Sequence, residues 1–125
     1  MTRNLYREKI LEHYRNPSNR GEVGDPDIEA EVSNPNCGDE IRMAAEVENG
    51  VIREVGFEGE GCALGIASVS MLTEELEGRN MEESVEDDEI FDMLGLDPEH
   101  VSSVRRKCVL LSKKAFQEMV EDERT

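Results

Sequence analysis

Cysteine is scarce in this sequence, lysine is scarcer than arginine, and long apolar runs are missing. Each shortage removes a class of protein. No apolar stretch approaches the roughly 18 residues that a helix needs to cross a membrane. Met1-Thr2-Arg3-Asn4 leads straight into a charged amphipathic stretch with no apolar signal segment before it. The expectation is a cytoplasmic chain with no membrane association. Three cysteines are an odd number and do not suit a disulfide framework. In a reducing compartment they read as metal ligands or reactive thiols. The paired Cys-x-x-Cys spacing of zinc ribbons is absent. Of 14 basic residues four are Lys and ten Arg, against 30 acidic residues, giving a net charge of −16. With no basic patch, nucleic acid and anionic lipid are excluded as partners. The acid is spread along the whole length, which suits a halophile's cytoplasm, where salt screens self-repulsion; the other reading is an acidic protein of an ordinary cytoplasm. No internal repeat and no low-complexity segment is present.

What is there points to one domain over residues 1–125, long enough to bury about two-thirds of its unfolded surface. Such a chain needs no metal merely to fold. Residues 3–16 read as a helix with Leu5, Tyr6, Ile10, Leu11 and Tyr14 near one face, stopped by Asn16-Pro17 and Gly21. Residues 22–59 read as β structure. Ile28, Ala30 and Val32 alternate with polar residues, as do Ile41, Met43, Ala45 and Val47, and Val51, Val55 and Phe57 continue after Asn49-Gly50, a two-residue hairpin signal. This predicts a three-stranded antiparallel sheet with one buried and one acidic, wet face. Residues 63–77 read as a helix with the small residues Ala63, Gly65, Ala67, Ser68 and Ser70, which permit close packing. Gly78 ends it. Met81–Val85 reads as a brief turn, Ile90, Phe91 and Leu94 as one apolar patch, and Asp97-Pro98 as the start of a short helix. Arg105-Arg106-Lys107-Cys108 opens a last helix, with Val109, Leu111, Ala115, Phe116, Met119 and Val120 apolar. The fold class is α+β, with the last helix packed on the sheet.

The three cysteines each fall at the edge of an element. Cys37 and Asp39 lie in the connection between the first two strands, after Asn34-Pro35-Asn36, with Gly38 permitting a bend between them. Cys62 follows Gly59-Glu60-Gly61 at a helix start, where the dipole favours an anion. Cys108 stands at the last helix start beside three cations. Free cysteine is often core filler, but a turn is a poor place for a core residue. Three thiols and one carboxylate are a ligand set for zinc or an iron–sulfur cluster. His13 reads as a solvated or partly packed side chain and His100 as exposed. The spacing alone stops at a small α+β domain with a metal or thiol site.

Several stretches together resemble the IscU/NifU-type scaffold family of iron–sulfur cluster assembly: Tyr6 with His13-Tyr14-Arg15-Asn16-Pro17, Asn34-Pro35-Asn36-Cys37-Gly38-Asp39, Phe57-Glu58-Gly59-Glu60-Gly61-Cys62, Ala67-Ser68 and Lys107-Cys108. The resemblance implies an IscU-like fold in which Cys37, Asp39, Cys62 and Cys108 hold a nascent [2Fe–2S] cluster, or Zn²⁺ in its absence. It implies sulfur delivered as persulfide by a pyridoxal-phosphate cysteine desulfurase, with Cys108 or Cys37 as acceptor, and cluster transfer to apo iron–sulfur acceptor proteins. In the IscU branch a histidine precedes the third cysteine and a Leu-Pro-Pro-Val-Lys stretch is read by a dedicated Hsp70 chaperone. Here Lys107 holds the histidine position and residues 101–105 lack the prolines, which speaks against that chaperone. Arg105-x-Lys107-Cys108 is similar to the SufU branch, yet the segment between Cys62 and Cys108 is too short for the insertion typical of SufU. The sequence falls between the branches. The implied function is a non-enzymatic scaffold; the alternative is a zinc-dependent SufU-like sulfurtransferase partner, and a third reading is a binding module with structural zinc.

Overall fold

Apolar spacing sets the order of elements. The computed structural model describes residues 2–35 and 38–124. Helix α1 (Thr2–Arg15) precedes strands β1 (Ile28–Asn34), β2 (Asp39–Glu48) and β3 (Val51–Glu60). Helices α2 (Ala63–Leu76) and α3 (Asp87–Leu94), a 3₁₀ turn (Pro98–His100) and helix α4 (Ser103–Arg124) follow. The α+β architecture expected from the sequence is the one found. Among the described residues no helix is long and apolar enough to cross a membrane.

The strands form one antiparallel sheet in the order β1-β2-β3. Period-two alternation buries Ile28, Val32, Ile41, Met43, Ala45, Val55 and Phe57 on one face, and leaves Glu29, Glu31, Glu40, Arg42 and Glu58 in water. Asn49 and Gly50 close the β2–β3 hairpin with φ of 53° and 79°, positive at both central positions as a tight hairpin turn demands. One inward position differs from the alternation. The register shifts between Glu46 and Val47, so Ile52 pairs with Val47 and is fully buried while Val51 is only half-buried. A bulge adds one residue and inverts the pattern beyond it.

Residues 22–27, expected as strand, lie outside the sheet. The segment just before them caps the free edge of β3 instead. Gly21 N–H donates to the Phe57 carbonyl at 2.9 Å and Phe57 N–H donates to the Asn19 carbonyl at 3.0 Å. Covering an edge strand removes a template for aggregation. The closeness demands glycine at position 56, where a Cβ would stand 2.7 Å from the Gly21 carbonyl oxygen.

Helix α4 packs across β1 and β2, α2 lies against β3 and α4, and α1 covers α2 from outside. Helix α2 is therefore buried nearly all round, with every residue from Gly65 to Thr73 inaccessible, as its uniform apolarity and small side chains allow. Polar ties lock its small face. Ser68 Oγ donates to the Val109 carbonyl at 2.8 Å and lies 2.8 Å from Ser112 Oγ. Ser70 Oγ accepts from Ser18 N–H and meets His13 Nδ1, both at 2.7 Å. His13 is thus a packed α1–α2 contact, and His100 is exposed beside Asp97.

Helix α4 starts earlier than the sequence reading placed it. Ser102 is the reason: its carbonyl accepts the first helical bond from Arg106 N–H at 2.8 Å. Its Oγ accepts from Arg105 N–H at 3.3 Å, a serine N-cap. Cys108 therefore stands in the second turn, not at the helix start. It begins a buried stripe that continues through Leu111, Ser112, Ala115, Met119 and Val120, the i, i+3, i+4 spacing of a core-facing helix.

Candidate metal centre

The first residue of β2, the N-cap of α2 and the second turn of α4 meet at one end of the sheet. Asp39 belongs to β2 rather than to the preceding connection, paired with Asn34 across the β1–β2 ladder. It is only 2% exposed. Gly38 N–H donates to the Asn34 carbonyl at 3.0 Å, with Gly38 at φ 72°. This left-handed bend turns the chain into β2. A buried carboxylate demands compensation. Asp39 Oδ1 accepts a hydrogen bond from Cys62 N–H at 3.0 Å.

Cys62 is the N-cap of α2, with φ −72° and ψ 166°. Its Sγ accepts from Gly65 N–H at 3.4 Å, taking the place that a serine or aspartate oxygen usually fills. The Sγ stands 4.0 Å from Asp39 Oδ2. Cys62 is exposed, whereas Cys108 is 3% exposed. The two sulfurs and a carboxylate oxygen of Asp39 all lie within 4.8 Å of one another. Cys37, the fourth ligand expected from the sequence, lies outside the described residues.

Glycines make the room. A Cβ at position 61 would stand 2.7 Å from Asp39 Oδ1 and 2.9 Å from its carboxyl carbon. At position 65 it would stand 3.3 Å from Oδ2 and 3.7 Å from Cys62 Sγ. Any other residue at 61 displaces the carboxylate. The space beside the three donors is thus kept clear by residues that carry no side chain. Two soft thiols and one harder oxygen at this separation fit a single zinc ion or the corner of an iron–sulfur cluster. Gly65 was legible only as part of a small-residue face. Its signal is a glycine in the first turn of a helix, a position where it weakens the helix and so asks for another reason.

Of the cations expected beside Cys108, Arg106 is committed elsewhere. Its guanidinium donates to the carbonyls of Pro98 and Val101 and ties the 3₁₀ turn to α4. Arg105 and Lys107 are exposed.

The family described as the NifU-like N-terminal domain matches residues 5–124. The chain belongs to the NifU-like N-terminal domain family. Among NifU-like relatives, the zinc-dependent sulfurtransferase SufU of Bacillus subtilis (strain 168) is 33% identical, over 95% of this chain and 91% of its own. The iron–sulfur cluster assembly scaffold protein IscU of Azotobacter vinelandii is 36% identical over 94% of this chain and 92% of its own. The crystal structure of the N-terminal part of a nitrogen-fixing NifU-like protein from Brucella abortus superimposes with a TM-score of 0.80, covering 95% of this chain and 94% of that one. At 22% identity it shares the NifU-like fold. Relatives named SufU and IscU are thus both similar over most of the chain.

Proposed function

We propose that this chain is a scaffold on which a [2Fe–2S] cluster is assembled and then handed to apo acceptor proteins, with Cys37, Asp39, Cys62 and Cys108 as its ligands. The observation that carries the reading is the convergence of Asp39, Cys62 and Cys108 from three separate elements, their ligand atoms mutually within 4.8 Å. A cluster bound here is cargo, so it has to be held and released. Thiolates suit iron–sulfur clusters, whereas a carboxylate is the harder and less well matched ligand. Asp39 is the corner from which release begins, and the Cys62 N–H holds its carboxylate in place when the cluster leaves.

Sulfur arrives as persulfide from a pyridoxal-phosphate cysteine desulfurase in this reading. The receiving thiolate attacks the terminal sulfur, the donor's S–S bond breaks, and the donor leaves as thiolate, so transfer is redox-neutral as in thiol–disulfide exchange. Converting that sulfur to sulfide takes two electrons from an external donor. Cys108 and Cys37 are the candidate acceptors. Cys108 is 3% exposed, so delivery there includes a displacement of the side chains over it, and Cys62 stands at the exposed side of the site.

The second reading is a zinc-dependent sulfurtransferase partner. The similarity to SufU over 95% of this chain favours it, as does Lys107 in place of a histidine. Zinc supplies a Lewis-acid centre that keeps its thiols deprotonated. Asp39 would then be the exchangeable ligand, its oxygen being harder and less well matched than the thiols.

Asp39→Ala tests the scaffold reading. After identical reconstitution, the variant's cluster is expected to live longer and to transfer more slowly to an apo ferredoxin-type acceptor. Unchanged lifetime with unchanged transfer removes Asp39 from the mechanism. Looser zinc and altered sulfur acceptance without any cluster selects the second reading.

A further inference from the structure

Lysine is rare here, and its distribution is uneven. Three of the four lysines, Lys107, Lys113 and Lys114, line one cavity of about 430 Å³ between α4 and the end of β1. In a chain of net charge −16, this is a local reversal of sign. Lys113 is 18% exposed and pairs with Asp87 at the start of α3, which fixes one wall. Lys107 and Lys114 are exposed, and among the described residues neither is in an ion pair. Thirty acidic residues surround them in sequence, yet these two cations stay available.

The cleft borders α4, the helix that carries Cys108, and the end of β1. Lys107 immediately precedes Cys108, and Pro35, on the opposite wall, stands two residues before Cys37. Whatever lies in the cleft touches α4 one residue before Cys108. Its shape suits a chain segment better than a single small ion. Lys107 and Lys114 are two turns apart on one helix face, roughly 10 Å along the axis. A segment in polyproline II geometry repeats a face every third residue, about 9 Å. Leu110 and Pro35 supply apolar contact between the charges.

We propose that this cleft is the docking site for an acidic, extended segment of a partner protein, carboxylates three residues apart seated on Lys107 and Lys114. The segment anchors the partner beside the metal centre, while the acidity of the remaining surface repels it from other orientations.

The test is an amide-resolved NMR titration of the intact chain with the synthetic peptide Ser-Glu-Pro-Pro-Glu-Ser, acetylated and amidated. The controls are its Gln-for-Glu analogue and inorganic phosphate. Shifts are expected at the end of β1 and along residues 107–117. Lys114→Glu should weaken binding about fivefold and Lys107→Glu/Lys114→Glu by more, as expected for reversing exposed charge pairs. Should the reversed variants fail to fold, Lys107→Gln and Lys114→Gln carry the same comparison. Equal binding of the Gln analogue overturns the proposal. Folded variants that bind as the wild type, or no shifts at the cleft up to millimolar peptide, also overturn it. Phosphate moving the same amides at the same concentration replaces it with a simple anion site. No iron or sulfur enters the measurement, so its outcome is independent of the cargo proposed above.

Discussion

The backbone N–H of Cys62 donates to Oδ1 of Asp39 across 3.0 Å. One candidate ligand thereby holds the other in place through its main chain rather than through its sulfur, which caps α2 at Gly65 N–H. The bond joins the start of β2 to the N-cap of α2. Small movements of either element change the donor set as a whole, since buried networks respond as units.

Gly61→Ala follows directly. The added Cβ would meet Asp39 Oδ1 at 2.7 Å, so the carboxylate has to swing away. Such changes beside a metal site lower affinity by about 10- to 100-fold. Competition titration against a zinc chelator, with circular dichroism confirming the native helix content, measures it. Wild-type affinity in a folded variant would show that the carboxylate is not a ligand.

Replacing Cys62, Cys108 or Cys37 singly by Ser should lower metal affinity, with as-purified content of about one ion in the wild type for a single tetrahedral site. The chain should stay folded, because its core of Met43, Phe57, Leu72, Phe91 and Met119 is complete without metal. Full metal stoichiometry in all three variants would refute the ligand set.

Arg79 and Glu89 predict a pH dependence of stability. Arg79 donates to both Glu89 oxygens, at 2.6 and 3.3 Å, and its hydrogen bond holds the Glu89 carboxyl below its ordinary 4.5. A depressed carboxyl stabilises the fold fully above 4.5, and the contribution is lost as pH falls through the lower folded value. Glu89 is 37% exposed, so screening limits the pair to about 1 kcal/mol or less. Chemical denaturation should show Glu89→Gln less stable than wild type at pH 7, with the gap closing as pH falls below 4.5. An equal gap at both would point to lost packing instead.

The wet face of the sheet predicts a response to salt. Glu46 and Glu54 stand directly opposite across β2 and β3, and the hydrogen bond with Glu54, then desolvation and the charges of Glu54, Asp25 and Asp27, raise the Glu46 carboxyl above its ordinary value. For an acid raised in the folded state, ionisation works against folding, so stability falls as pH rises past 4.5. The melting temperature should rise from dilute buffer to molar salt as screening relieves the −16. Glu54→Gln should raise it in dilute buffer and shrink the gain from salt. A flat or falling melting temperature across that range rejects salt adaptation.

Residue order by itself determined the kinds of element and their succession. Period-two runs around Ile28–Val32 and Ile41–Ala45, the Asn49-Gly50 turn, and the amphipathic stripe through Phe116 are local signals, carried by side-chain spacing and turn chemistry within a few residues. The set Cys37, Asp39, Cys62 and Cys108 was legible as candidates because thiols and a carboxylate among glycines are unusual company. Tertiary structure decided the rest. Only β1–β2 pairing puts Asp39 inside a strand, and only the packing of α4 across β1 and β2 turns Cys108 inward from its second turn. The separations of 24 residues between Cys37 and Cys62 and 45 between Cys62 and Cys108 carry no geometric information. The cleft of Lys107 and Lys114 was invisible for the same reason. Its opposite wall comes from β1, more than 70 residues away in the chain, and non-local surfaces form only when the core beneath them is packed.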